Sequence, residues 1–340
     1  MPPSNDAART GLLFTGAPAV PEMVRLAQRA EEQGFESIWV AETRMTRDAF
    51  TPAAAIAQAT ERIRIGTGIV NVYTRNPVVL AISFLGLHEL APGRILLGLG
   101  AGSPRVLAPQ GIEFHKPLTR LREYCEVIPP LMRGEAVSYE GSAVTLRDAK
   151  IEDVLSSDGK ALRADMPLYL AATGPKAMRY AGSVADGMLM NVCLSTSYVE
   201  AKLELLEQGA RDAGRSLDDI EIAMAVLSCP NEDEEAGREA ARRFIALYLG
   251  TMPNIAKETG LSDRVIEDVG NALFGEGLDA ATRLVPEEAV DLLAAAGTPE
   301  QCQRRLDEYR AAGIDLVVLA PVEGAIGTAI DLLSPAALAG

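Results

Sequence analysis

The sequence predicts an α/β protein folded as a TIM-like (β/α)8 barrel with insertion segments, and three observations carry that prediction. Strand-like apolar runs alternate with helix-like periodic runs almost from end to end, the pattern of β/α units around a parallel sheet. Eight strand-like runs occur, near 11–15, 36–41, 63–70, 94–99, 167–172, 187–191, 219–227 and 315–320. An open doubly wound sheet normally needs fewer and shows a nucleotide fingerprint after its first strand. Several of the runs also turn glycine-rich or polar at their C-terminal ends, where barrel enzymes place chemistry.

Taken in order, the elements are well punctuated. In 20–33, Val20, Met23, Val24, Leu26, Ala27 and Ala30 form a helical apolar stripe, with Pro21 in the first turn and Gly34 as the stop. The run 36–41 ends in Ala41-Glu42-Thr43-Arg44. The run 63–70 begins as a buried strand interrupted by Gly66 and Gly68 and leads into Asn71-Val72-Tyr73-Thr74-Arg75-Asn76. An apolar helix follows, in which His88 reads as a packing or helix-end residue. Residues 134–166 carry Gly134, Gly141 and Gly159 among alternating residues and predict a small extended excursion. Residues 231–297, Ala-rich and acidic, predict several inserted helices. In 299–312, Thr298 and Gln301 fit a capping box, Pro299 suits the first helical position and Gly313 ends the helix. No repeat or low-complexity linker divides residues 1–340, so a single domain with a helical insertion around 231–297 is expected.

The chain has 340 residues, 48% of them hydrophobic and 23% charged, enough for a large core. Lys and Arg number 32 against 47 Asp and Glu, a formal net charge of −15. That balance disfavours nucleic acid or an anionic membrane as partner. Cys125, Cys193, Cys229 and Cys302 are far apart, with no CxxC pair and no basic-plus-apolar leader. They predict buried free thiols rather than a disulfide framework, a zinc site or secretion. Apolar runs are broken before they could cross a bilayer. A cytoplasmic protein acting on a small molecule is the expectation.

Three strand ends could carry chemistry. In Ala171-Ala172-Thr173-Gly174-Pro175-Lys176 a strand turns directly into a helix, whose free N-terminal amides attract an anion while Lys176 adds a full charge. The alternative is an ordinary turn with a solvated lysine. Leu97-Gly98-Leu99-Gly100-Ala101-Gly102-Ser103 is neither a GxGxxG nor a Walker loop. Its glycines imply something close to the backbone, either a tight turn or a flat ligand, and the coincidence of three such strand ends favours the ligand. Glu42 can act as acid, base or hydrogen-bond acceptor, or can pair with Arg44 or Arg75 and only organise the mouth. With no HExxH and no GxSxG, a metal or nucleophile mechanism has no support, and chemistry is expected to come from a bound cofactor.

The stretch from Gly66-Thr67-Gly68-Ile69-Val70-Asn71 to Arg75-Asn76-Pro77, Leu97 to Gly102, Thr173-Gly174-Pro175-Lys176 with Ala181-Gly182, Ala185-Asp186-Gly187, and Gly297-Thr298-Pro299-Glu300-Gln301 together resemble the luciferase-like flavin-dependent oxidoreductase superfamily. The likeness is nearest to its branch using the deazaflavin coenzyme F420, which includes methylene-tetrahydromethanopterin reductase. It covers nearly the whole chain. It implies a barrel with an insertion, usually dimeric, with a flavin or deazaflavin lying across the strand ends. Carried over residue by residue, it puts a non-prolyl cis peptide at Gly68-Ile69, a bulge behind the tricyclic ring, with Asn71 at the rim. Gly100, Ala101 and Gly102 would border the ring, and Ala172, Thr173, Gly174, Pro175 and Lys176 would hold the side chain and phosphate. Asn191 would reach the same tail, and Glu42 lies where relatives carry a polar or acidic residue beside the ring. Departures from the methanopterin enzymes are the lack of an acidic residue in Gly11-Leu12-Leu13-Phe14-Thr15-Gly16, and Ser103 in place of an acid.

The resemblance thus implies hydride transfer between the deazaflavin C5 and an organic substrate. Its rivals are an FMN-dependent monooxygenase supplied by a flavin reductase and a non-catalytic flavin-binding protein.

Overall fold

The computed structural model describes residues 9–42, 45–156, 159–252, 256–257 and 259–338. Its strands are β1 (Thr10–Phe14), β2 (Ser37–Val40), β3 (Arg64–Thr67), β4 (Val70–Asn71), β5 (Ile95–Gly100), β6 (Val137–Glu140), β7 (Thr145–Ala149), β8 (Leu168–Ala171), β9 (Gly187–Met190), β10 (Glu221–Pro230), β11 (Ala294–Gly297) and β12 (Leu316–Pro321). Eight of them close a ring in the order β1-β2-β3-β5-β8-β9-β10-β12 and back to β1, every pairing parallel. This is the predicted TIM-like barrel, and each of the eight predicted runs supplies one staves' worth of it. The fully buried runs are explained by the architecture, since a parallel strand is covered by helices on one side and barrel interior on the other.

Inside the ring, Trp39, Leu96, Tyr169, Leu189, Ala223, Leu316 and Val318 form one cluster, with Leu13 and Ile69 packed on it. Trp39 and Tyr169 meet edge to face at 5.1 Å, a favoured arrangement of ring quadrupoles. The larger core lies between ring and helices. The sequence punctuation recurs in detail: Thr298 and Gln301 make both bonds of the capping box, and Gly34 and Gly313 take φ values of 87° and 101° at helix ends. All four cysteines are free and buried. His88 lies in the last turn of the helix Pro77–Leu90, where burial pushes its imidazole pKa down.

The excursion before β8 is an antiparallel pair, β6 with β7. The acidic insertion forms the helices Glu234–Thr251, Asp263–Gly275, Leu278–Arg283 and Glu287–Leu293. Its end differs from expectation: Ala294–Gly297 is a strand, paired in parallel with Leu227–Pro230 of β10. Alanine favours helix locally, but here the exposed backbone of an overlong neighbouring strand supplies partners.

Candidate active site at the barrel mouth

In a closed parallel ring, all strands point the same way, so every predicted site residue lies at the same end. The register shows how closely: Val40 is beside Thr67, Asn71 beside Gly100, and Gly100 beside Ala171. Between β3 and β4 the chain bulges at Gly68-Ile69, and this peptide bond is cis, as the resemblance implied. Both residues are half-buried. Ile69 closes the interior cluster from above together with Leu13, giving the mouth an apolar floor.

The glycines of β5 have a physical cause within the protein. A Cβ on Gly98 would sit 1.8 Å from the Thr67 carbonyl oxygen, and one on Gly100 would sit 2.8 Å from Ile69 Cδ1. The Thr67 hydroxyl donates to the Gly98 carbonyl at 2.7 Å and accepts from its amide at 3.1 Å. These glycines therefore allow β5 to close against the bulge; the close neighbour is the bulge itself. Ala101 and Gly102 continue the rim, Gly102 with φ 69° beside Asn71.

Glu42 follows β2 and pairs with Arg75, whose Nη1 lies 2.7 and 2.8 Å from the two carboxylate oxygens. The other candidate partner, Arg44, lies outside the described residues. The Arg75 guanidinium rests 5.0 Å over the Phe50 ring, and the Tyr124 hydroxyl donates to the Arg75 carbonyl at 2.8 Å. Asn71 is buried, and its Oδ1 accepts from the Tyr73 and Thr74 amides at 3.0 Å each. It shapes the rim loop rather than presenting that oxygen outward. The Tyr73 hydroxyl donates to the His115 carbonyl at 2.7 Å, with Phe114 and Arg120 against its ring, which pins the loop after β5 to the rim.

After β8, Ala172 is half-buried and Thr173, Gly174, Pro175 and Lys176 are exposed. Gly174 occupies the N-cap of the helix Pro175–Val184 with no side chain capping it, and a Cβ there would meet nothing within 4 Å. Asn191 follows β9. Its Nδ2 donates to the Tyr248 hydroxyl at 3.2 Å and its Oδ1 accepts from the Val192 amide, so it ties the mouth to the inserted helix Glu234–Thr251. Phe50, Tyr124 and Tyr248 were not anticipated as site residues; each acts across elements distant in sequence, which leaves no local spacing to read.

Two cavities of about 530 and 570 Å³ lie elsewhere, one lined by Arg9, Glu221 and Asp315 and the other by Arg122, Cys125 and Tyr180. Neither includes a barrel strand's C-terminal end, and the site is assigned on the convergence of strand ends instead. Among the described residues no group of three or more His, Cys, Asp or Glu could hold a metal ion, and no helix is long and apolar enough to cross a membrane.

A closed β/α ring whose C-terminal mouth brings together the Glu42–Arg75 pair, glycine-rich strand ends and an uncapped helix N-terminus has the layout of a barrel enzyme. The chain belongs to the luciferase-like monooxygenase family of oxidoreductases, whose family model matches residues 5–316. The 5,10-methylenetetrahydromethanopterin reductase of Archaeoglobus fulgidus is 30% identical over 302 residues, covering 87% of this chain and 88% of that one. The F420-dependent glucose-6-phosphate dehydrogenase of Beutenbergia cavernae is 34% identical over 247 residues, covering 67% and 70% respectively. Among solved structures, the coenzyme F420-dependent tetrahydromethanopterin reductase of Methanopyrus kandleri superposes with a TM-score of 0.88 at 25% identity, over 98% of this chain and 99% of that one. The expected family and fold are borne out.

Proposed function

We propose that this protein is an F420-dependent oxidoreductase of a small organic substrate. The observation that carries the proposal is the mouth's combination of parts: an apolar floor at Ile69 and Leu13, a fixed carboxylate at Glu42, and an open helix N-terminus with Lys176 beside it. A flat ring fits the floor, and an anionic tail fits the free amides and the lysine. Relatives named for F420 extend over most of the chain.

When bound, F420 supplies a carbon, C5, that gives or takes a hydride. The chain's own part is orientation, exclusion of water and one proton. Ile69 and Gly68 support the ring from behind, and Gly100 to Gly102 border it. Ala172 to Lys176 hold the tail, with Asn191 at its edge. The loop pinned by Tyr73 and Phe114 shields the mouth. The Glu42 side chain, held by Arg75, accepts a proton from the substrate as a carboxylate and, in the reverse direction, delivers that proton back as a carboxyl. The named relatives act on unlike substrates, and the proposal therefore extends to a small organic molecule.

Two copies forming a homodimer are part of the proposal. The adjacent helices Phe50–Ala59 and Pro77–Leu90 carry one acidic residue between them, Glu89, and the second exposes Val79 and Ile82 at 50% and 51%. In a chain of net charge −15, such a face lets like surfaces meet without repulsion. Ile82→Glu should convert dimer to monomer in sedimentation. The four buried free thiols suit a cytoplasmic location.

The deciding experiment titrates apo-protein with F420 and with FMN while following cofactor fluorescence. Saturable F420 binding is expected. Tight FMN binding without a response to F420 overturns the proposal in favour of an FMN-dependent monooxygenase fed by a flavin reductase.

A further inference from the structure

The Glu42–Arg75 pair is asymmetric in how its two members are held. Arg75 is fixed from three sides. Its guanidinium lies over Phe50, at the start of one helix. Its carbonyl accepts from Tyr124, within another. Its loop is knotted before it by Asn71, which accepts from the Tyr73 and Thr74 amides, and closed after it by Asn76, which caps Pro77–Leu90 by accepting from the Val78 amide. Among the described residues, Glu42 has less behind it. Its amide reaches the Ile69 carbonyl at 3.4 Å, a long contact, and its carboxylate oxygens are engaged by Arg75 Nη1. The side chains are 13% and 20% exposed, so an unpaired charge at either position would be poorly solvated.

We propose that Arg75 is a positioning residue that sets the Glu42 carboxylate at the mouth and acts on ligand binding through Glu42, not by touching the ligand. This deepens the F420 reading and rests on it for its binding measurement alone. Two other roles are physically possible for a mouth arginine. It could bind an anionic ligand directly through Nη2 or Nε, since only Nη1 is engaged by Glu42. It could merely bridge elements, in which case its loss lowers stability and leaves binding unchanged.

A double-mutant cycle separates these roles. Arg75→Met, Glu42→Gln, the double variant and Arg75→Lys are compared by F420 fluorescence titration and by unfolding midpoint, and ligand-free crystals of Arg75→Met and Arg75→Lys locate Glu42. Arg75→Met should weaken F420 binding about tenfold when Glu42 is present and less than about twofold in the Glu42→Gln background, a coupling within the usual range for contacting residues. Arg75→Lys keeps the charge and can follow the single-nitrogen contact but loses the planar stack on Phe50, so it should recover affinity only in part, ending between Arg75→Met and wild type. In the Arg75→Met crystal the carboxylate should have left its position, and in Arg75→Lys it should have kept it. Equal loss of affinity in both backgrounds overturns the proposal and makes Arg75 a direct ligand contact. A Glu42 that stays in place in Arg75→Met, or lost stability with unchanged binding, overturns it as well. Should the wild type fail to bind F420, that failure belongs to the cofactor reading, and the crystals alone then decide the role of Arg75.

Discussion

The two ends of the barrel solve opposite problems with similar residues. At the N-terminal end of the strands, Arg9 and Arg64 each engage both Glu36 and Glu221, and the Tyr169 hydroxyl donates to Glu221 at 2.5 Å. Burial alone would push the Glu221 carboxyl up, but Arg64, Tyr169 and Arg9 outweigh it and hold the group below the usual carboxylate range. Cations and carboxylates there are paired with one another, although the Arg64 Nε is buried without a partner among the described residues. At the mouth the Glu42–Arg75 ion pair stands beside an apolar surface formed by Ile69 and Leu13 and a helix N-terminus that no side chain caps. The difference is one of commitment: at the N-terminal end each carboxylate is engaged by both arginines, whereas a mouth with uncommitted backbone donors can recognise something else.

The largest effect should come from the layer that supports the mouth. Gly98→Ala places a methyl 1.8 Å from a backbone oxygen, which no rotamer relieves, so β5 must move away from β3. A loss of upwards of about 3 kcal/mol in urea unfolding is expected, as for overpacking against rigid backbone. Near-wild-type stability would mean that the bulge is free to shift, and that the mouth is less preformed than its packing indicates.

Next in size is the ion network at the N-terminal end. Glu221→Ala leaves Arg9 and Arg64 with one carboxylate between them and should cost about 2–3 kcal/mol without altering cofactor affinity. The pH dependence has a definite sign. Because the folded-state pKa of Glu221 is depressed, its contribution is full above the unfolded value of about 4.3 and is lost as pH falls through the folded value. Wild-type stability should therefore decline on acidification below about pH 4, and Glu221→Gln should decline less steeply. Equal slopes would remove Glu221 from the acid response, and a change in F420 affinity would break the division between the two ends.

How much of this was legible differs between the ring and its mouth. The ring strands announce themselves through runs such as Ile95–Leu97 and Leu316–Leu319, because burial on both faces demands continuous apolar side chains. β11 does not, because Ala294-Ala295-Ala296 has helical propensity and is a strand only through the free edge of β10. At the mouth, the strand ends were readable as a set, but glycine reports that something is close without saying what. Gly98 and Gly100 suggested a ligand, and their neighbours proved to be Thr67 and Ile69. The Phe50–Arg75–Tyr124 support could not be read at all, since stacking and a hydrogen bond between separate elements impose no periodicity.

The smallest effect expected sharpens the comparison most, because it concerns a residue with no structural burden. Lys176 is exposed in the first turn of Pro175–Val184, and the mouth owes it nothing in packing. Lys176→Ala should leave unfolding within about 0.5 kcal/mol of wild type. If the anionic tail of F420 lies at this helix N-terminus, the same substitution should weaken binding about threefold at low salt, the size of one exposed charge contact. Added salt should shrink the difference, since a solvent-exposed attraction is screened beyond about 10 Å at 0.1 M. A residue of the ion network at the opposite end, such as Glu221, behaves in the opposite way, altering stability and sparing affinity. An affinity unchanged by Lys176→Ala at low salt would move the tail to another strand end and leave the turn after β8 as an ordinary connection.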